Sequence, residues 1–222
     1  MNNNLSKRIF TSIILSILLL SCLFFHKHSW LLLLIIASII SFFEFNNLIK
    51  KIWKKNKSTI FLLNVVCLFY LYFFVILVYQ DGRISIFNTL YILSICILTD
   101  IGGYIIGRAI GGKKLTKISP NKTISGSLGS FIFSLFSIIA IIYYDQHFGF
   151  FLSSNDYLKN ILVILFISFI SQSGDLFISY IKRKAKVKDT GSILPGHGGL
   201  LDRIDGIIFA LPAGFILIKL IY

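Results

Sequence analysis

Apolar residues along this chain come in long unbroken runs, separated by short polar breaks that are mostly basic. Seven runs stand out, at about Ile9–Phe25, Trp30–Ile49, Ile60–Tyr79, Ile86–Gly107, Gly126–Tyr144, Asn160–Ile181 and Ile207–Tyr222. A helix needs about 20 predominantly nonpolar residues to cross a bilayer, where every backbone polar group must be satisfied within the helix itself. The first run follows Lys7 and Arg8, as the core of a signal peptide would. No small-x-small cleavage pattern comes after it and a second run begins almost at once, so it reads as a retained span. The pattern predicts an all-α polytopic membrane protein with about seven transmembrane helices.

Polar positions inside the runs divide the chain into residues 1–85, the N-terminal spans, and residues 86–222, a catalytic region. In the first part the one acid within a run is Glu44, in "SFFEFNN". It stands about two turns before Lys50, close enough to snorkel towards the basic end or pair there. In the second part the fourth run reads "ILTDIGGYIIGR" and the sixth "ISQSGDLFISYIKRK". Asp100 and Asp175 lie at matching depths, roughly 10–12 Å below the basic ends of their helices. A charged side chain near mid-membrane costs about 2.5–3.5 kcal/mol on insertion scales. Two at one depth point to a shared polar cavity. On a helix Ser171, Gln172, Ser179 and Lys182 share the face of Asp175, while Gly103, Tyr104 and Gly107 share that of Asp100.

Composition strengthens the membrane reading: 56% of the 222 residues are hydrophobic, and the mean hydropathy is +0.84. The net charge of +13 would suit a nucleic-acid binder, but its distribution does not. With the N-terminus in the cytoplasm and strict alternation, 18 of the 22 Lys and Arg residues fall on the cytoplasmic side, as the positive-inside rule requires. The two richest loops, 108–125 and 182–206, then share that face, and the polar cavity opens to it. Cys22, Cys67 and Cys96 lie within apolar runs and form neither a disulfide framework nor a zinc spacing.

Both loops have the composition of phosphate sites. In the first, Arg108, Lys113, Lys114, Lys117 and Lys122 stand among glycines and hydroxyl residues. Flexible backbone donors with fixed cations suit a polyanion. Gly107-x4-Gly112-Lys113 approaches a P-loop, but Lys114 occupies the metal-binding hydroxyl position and a membrane run precedes it in place of a strand. The second loop contains "KDTGSILPGHGGLLDRIDG". Asp202 and Asp205, spaced i, i+3, share a helix face. Carboxylates among so many cations make sense if a divalent metal lies between them and phosphates, and Mg²⁺ takes one or two carboxylates plus substrate oxygens. His197, between glycines beside these acids, is a further candidate. A phosphotransfer between a soluble nucleotide and a membrane lipid fits cavity, cations and apolar walls together.

Ser179 to Gly206, "SYIKRKAKVKDTGSILPGHGGLLDRIDG", resembles the C-terminal signature of phosphatidate cytidylyltransferases. "QSGDLFISYIKR" and "TDIGGYIIGRAIGGKKL…ISPNKTISG" resemble the segments before it, so the likeness covers about residues 95–210. It implies transfer of a cytidylyl group from CTP to phosphatidic acid at a bacterial inner membrane, with CTP, phosphatidic acid and membrane lipids as partners. No nucleic acid is expected, and a homodimer is admitted. Asp175, Asp202 and Asp205 are implied to hold Mg²⁺ and a second, monovalent cation such as K⁺. Lys182, Arg183, Lys188, His197 and Arg203 are implied to complete the catalytic set. Asp100, Lys113, Lys122, Ser173, Ser179, Gly198 and Gly199 are implied to bind substrate. The chain departs from the usual pattern in three ways. Ile101 stands where the family has Thr or Ser, Ser125 stands where it has Glu, and about two N-terminal spans fewer than in most relatives are expected. The rival readings are a CTP-dependent kinase of a lipid alcohol, a transporter and an inactive relative.

Overall fold

The computed structural model describes residues 2–79, 83–139, 157–196 and 198–221; side chains are described from residue 10, and in the second segment from residue 86. Nearly everything described is helical: α1 (Asn2–Phe25), α2 (Lys27–Ile52), α3 (Lys57–Val78), α4 (Arg83–Ile110), α5 (Ile124–Ser134), α6 (Tyr157–Lys184), the single turn α7 (Leu201–Ile204) and α8 (Ile207–Ile221). Among the described residues the β pairing amounts to two isolated bridges, Lys114–Thr123 and Leu194–Gly198.

Among the described residues four helices are long and apolar enough to cross a membrane: Lys27–Ile52, Lys57–Val78, Ile86–Ile110 and Tyr157–Lys184. At about 1.5 Å per residue each reaches beyond about 30 Å, the thickness of a bilayer's hydrocarbon core. Phe10–Phe25, Ile124–Ile139 and Ile207–Ile221 are shorter apolar helices. The end of the fifth apolar run, residues 140–144, and the last residue of the seventh lie outside the described residues. The chain is a helical membrane protein, and its surface agrees. Phe61 and Phe69 on α3 are each 72% exposed, a cost in water and none in lipid.

The described chain folds as two compact units, and α6 contributes to both. The first comprises residues 1–81 and 180–204. In it α2 packs against α1, α3 and α7. Leu48, Ile181 and Ala185 form a buried cluster with Ile52 and Val187 against it. Lys184 Nζ lies 4.7 Å from the Trp53 ring centroid. Asn56 caps α3 by accepting from the Thr59 N–H at 3.1 Å, the role expected of Asn at that position.

The second unit comprises residues 82–179 and 205–222. Its tightest contact joins α4 to α5 through small residues. A Cβ at Gly102 would lie 2.5 Å from the Gly129 carbonyl oxygen, and one at Gly103 2.6 Å from Ser130 Oγ. This is the close backbone approach that small residues permit between membrane helices. Ile92, Ile95, Val163, Ile164, Ile167, Ala210 and Phe215 fill its core. Gly214 of α8 seats against Ile92 and Ile167.

Candidate active site

Each unit carries a polar cluster that includes residues singled out in the sequence. In the second unit the loop between α4 and α5 is folded by its own backbone. Gly111 and Gly112, at φ of 63° and 101°, turn the chain out of α4, a conformation that glycine takes without penalty. The Leu115 N–H donates to the Lys122 carbonyl at 2.8 Å and the Ile124 N–H to the Lys113 carbonyl at 3.0 Å. Thr123 then caps α5 by accepting from the Gly126 N–H at 3.0 Å. Ser125 donates to the Gly111 carbonyl, which secures the loop to the helix.

That loop delivers Lys122 into a cavity of about 270 Å³. Its lining includes Asp100, Tyr104, Lys122, Thr123, Gln172 and Asp175. Lys122 Nζ pairs with Asp175 Oδ2, and Ser179 Oγ donates to Asp175 Oδ1 at 3.2 Å. A chain of side chains holds the walls in register. Ser127 Oγ donates to Gln172 Oε1 at 2.6 Å, Thr99 Oγ1 to Ser168 Oγ at 2.9 Å, and Ser130 Oγ to the Thr99 carbonyl at 2.7 Å. Tyr104 accepts from Arg108 at 2.7 Å. With both carboxylates ionised, the lining carries two negative charges against one positive.

Asp205 belongs to the same unit. Its Oδ1 accepts from the Gly206 N–H at 2.9 Å. A Cβ at Gly174 would lie 2.8 Å from the Asp205 carbonyl oxygen, and one at Gly206 2.6 Å from Ser171 Oγ. The glycines adjoining Asp175 and Asp205 in sequence are therefore what lets these two stretches of backbone approach.

The first unit holds the other cluster. Lys182 Nζ and Asp202 Oδ1 lie 2.7 Å apart, with side chains 14% and 5% exposed. Asp202 Oδ2 accepts from the Thr190 N–H at 2.7 Å and the Gly199 N–H at 3.0 Å, and the Thr190 hydroxyl oxygen lies 3.0 Å from it. Burial alone would push this carboxyl up. The hydrogen bonds from Lys182, Thr190 and Gly199, with the Lys182 charge, prevail and hold it below its ordinary value. Gly198, at φ 85°, could not carry a Cβ without meeting Asp189 and Asp202 at 3.0 Å.

Of the residues singled out in the sequence, Asp100, Lys122 and Asp175 meet in one cavity, with Ser179 on Asp175. Lys182, Asp202 and Gly199 meet in the other cluster. Lys113, Arg183, Lys188 and Arg203 are exposed. Ser173 donates to the Phe169 carbonyl at 2.8 Å and is not part of the cavity lining. His197 lies outside the described residues. Glu44 neither snorkels nor pairs with Lys50. It is buried, and accepts from Thr190, Leu200 and Leu201. Thr190 was not singled out at all; its only signal was a hydroxyl beside Asp189 in a loop rich in glycine.

A magnesium ion fits the donors within limits. Among the described residues no three His, Cys, Asp or Glu side chains gather as a metal cage. Mg²⁺ does not need one, because it keeps water and takes substrate oxygens with one or two carboxylates. The Asp100 and Asp175 carboxylates with the Gln172 amide oxygen are hard donors of that kind.

Two carboxylates, hydroxyls, an amide and a lysine thus line one cavity in a helical membrane protein. The comparisons with known proteins narrow the class. The model of the cytidylyltransferase family matches residues 48–221, and the chain belongs to that family. It is 38% identical over 139 residues to a phosphatidate cytidylyltransferase of Bacillus subtilis, covering 59% of this chain and 48% of that protein. It is 45% identical over 124 residues to one of Staphylococcus haemolyticus, covering 55% and 45%. It is 40% identical over 139 residues to one of Staphylococcus aureus, covering 60% and 50%. The chain spans about half the length of the curated relatives it matches.

Proposed function

We propose that this chain transfers a cytidylyl group from CTP to phosphatidic acid, giving CDP-diacylglycerol and pyrophosphate. The observation that carries the reading is the cavity in which Asp100, Asp175 and Lys122 meet the capped start of α5, in a chain of this family. A lipid phosphate oxygen bonds to the α-phosphorus of CTP as the bond from that phosphorus to the β-phosphate bridging oxygen breaks, and pyrophosphate leaves. No side-chain nucleophile is needed, since the attacking oxygen is already anionic. Positioning and charge neutralisation are the protein's task.

Lys122, Thr123 and Ser127 would take phosphate oxygens. At about 270 Å³ the cavity is slightly smaller than the usual range for a whole small-molecule ligand, about 300–1,000 Å³, so it suits the phosphate chain better than the entire nucleotide. The lining's excess negative charge would repel a polyphosphate brought in alone. Asp100 and Asp175 would therefore receive Mg²⁺ with the nucleotide, and the motif's Asp202 and Asp205 are proposed as further metal or phosphate contacts. Mg²⁺, when bound, supplies positive charge to the phosphates; a monovalent cation such as K⁺ is proposed beside it. Lys182, Arg183, Lys188, His197 and Arg203 are proposed to meet phosphates of CTP or lipid.

The proposed setting is a bacterial inner membrane crossed seven times, with the N-terminus and loops 108–125 and 182–206 in the cytoplasm, where CTP is. The positive-inside charge bias supports it.

The test is turnover of CTP by purified protein in mixed micelles with phosphatidic acid and Mg²⁺. Asp175→Asn should cut CDP-lipid formation by about 100-fold or more, and Lys122→Met should raise KM for CTP. An Asp175→Asn variant as active as the original would remove the cavity from the reaction.

A further inference from the structure

Glu44 stands on α2, four residues before the family match begins. It is 3% exposed. Its Oε2 accepts from Thr190 Oγ1 at 2.7 Å and from the Leu201 N–H at 2.9 Å, and its Oε1 accepts from the Leu200 N–H at 2.9 Å. These three partners are neutral donors. A carboxyl group buried this deeply needs such hydrogen-bond partners for its oxygens.

The loop is shaped around the acid. A Cβ at Gly191 would lie 2.7 Å from Glu44 Oε1, and one at Gly199 would overlap the Glu44 carboxyl and the Thr190 hydroxyl. Neither glycine has a left-handed backbone. Closeness to the acid, not conformation, is what bars a side chain at both.

Thr190 links this acid to Asp202. Its hydroxyl lies 2.7 Å from Glu44 Oε2 and 3.0 Å from Asp202 Oδ2, while its N–H donates to Asp202 Oδ2 at 2.7 Å. One hydroxyl proton cannot serve two carboxylates fully. The shorter contact gives it to Glu44, leaving Asp202 Oδ2 with the Thr190 and Gly199 amides.

We infer that Glu44 is a positioning residue for Asp202. By holding the Thr190 hydroxyl and the Leu200 and Leu201 amides, it keeps residues 190–202 in the arrangement that aims two backbone N–H groups at Asp202 Oδ2 while Lys182 meets Oδ1. Glu44 touches no substrate. Its effect on the loop stands on geometry alone, and its effect on catalysis rests on the transferase reading above.

The test compares Glu44→Gln, Thr190→Val, the double variant and Thr190→Ser. Ser41→Ala serves as control, since the Ser41 hydroxyl is buried on the same helix without a hydrogen-bond partner among the described residues. Amide hydrogen exchange read by mass spectrometry should rise by about tenfold or more at Thr190 and Gly199 in Glu44→Gln. Neither of these amides bonds to Glu44 directly. With Asp202 as a metal contact, as proposed above, the Mg²⁺ concentration for half-maximal turnover should rise about 10–100-fold, the usual consequence of losing an outer-shell partner, with little change in KM for CTP. Thr190→Val should match it, the double variant should be no worse than either single one, and Thr190→Ser should restore both readouts. Unchanged exchange at Thr190 and Gly199 in Glu44→Gln, or fully additive losses in the double variant, overturns the inference. If Glu44→Gln does not fold, Thr190→Val alone decides by whether exchange at Gly199 rises. If the original protein turns over no CTP, the transferase reading fails, while the exchange comparison still decides the role of Glu44.

Discussion

Lys182 and Asp202 are each other's compensation. With side chains 14% and 5% exposed, neither charge is well solvated, and removing one partner of such a pair costs about 3–5 kcal/mol. Lys182→Met should therefore lower the melting temperature in detergent more than a Lys182→Met, Asp202→Asn double variant does. The reverse order would mean that the Thr190 and Gly199 amides compensate Asp202 without Lys182. The pH dependence has a definite sign. The Asp202 carboxyl is held below its ordinary value, so its stabilisation is fully present above the unfolded carboxyl's pKa, about 3.9, and disappears as pH falls through the lower folded one. The gap in melting temperature between the original protein and Asp202→Asn should stay constant from pH 7 to about 5 and close at more acid pH. A gap that instead closed between pH 7 and 5 would contradict the assignment.

The α4–α5 contact decides between two opposed effects of glycine. Replacing a helical glycine with alanine gains about 1 kcal/mol of helix propensity, whereas overpacking costs about 1–3 kcal/mol. At Gly102 a Cβ would lie 2.5 Å from both the Gly129 carbonyl oxygen and Phe133 Cβ, so Gly102→Ala should destabilise. At Gly107 the nearest atom is Thr123 Oγ1 at 3.1 Å, so Gly107→Ala should be close to neutral. Thermal unfolding of the two variants side by side checks the order. The elements themselves were legible in the sequence because lipid demands long apolar runs, and all seven runs contain helix among the described residues. Asp100 and Asp175 were legible for the same reason: acids are rare inside such runs, and the two stand at similar distances from the basic ends of their helices. Glu44 was visible too, but its partners were not. Local spacing offered Lys50, whereas folding brings Thr190, 146 positions away, to its carboxylate. The chain of hydroxyls and amide around Ser168 was equally invisible, since single polar residues in apolar runs have no periodicity to read.

At the scale of the whole molecule the charge bias makes a topological prediction. After replacement of Cys22, Cys67 and Cys96, single cysteines at Lys55 and Lys117 should react with a membrane-impermeant thiol reagent only from the cytoplasmic side. One at Lys27 should react only from the other side. Labelling of Lys55 and Lys117 positions from opposite sides would dismantle the proposed arrangement. The reaction itself is tested most directly by following which phosphorus of CTP enters the lipid. The protein would be incubated with phosphatidic acid, Mg²⁺ and CTP labelled either at the α- or at the γ-phosphate. Cytidylyl transfer puts the α label in the lipid product and the γ label in pyrophosphate. Label from the γ position in lipid, with CDP released, would contradict it and make the protein a kinase.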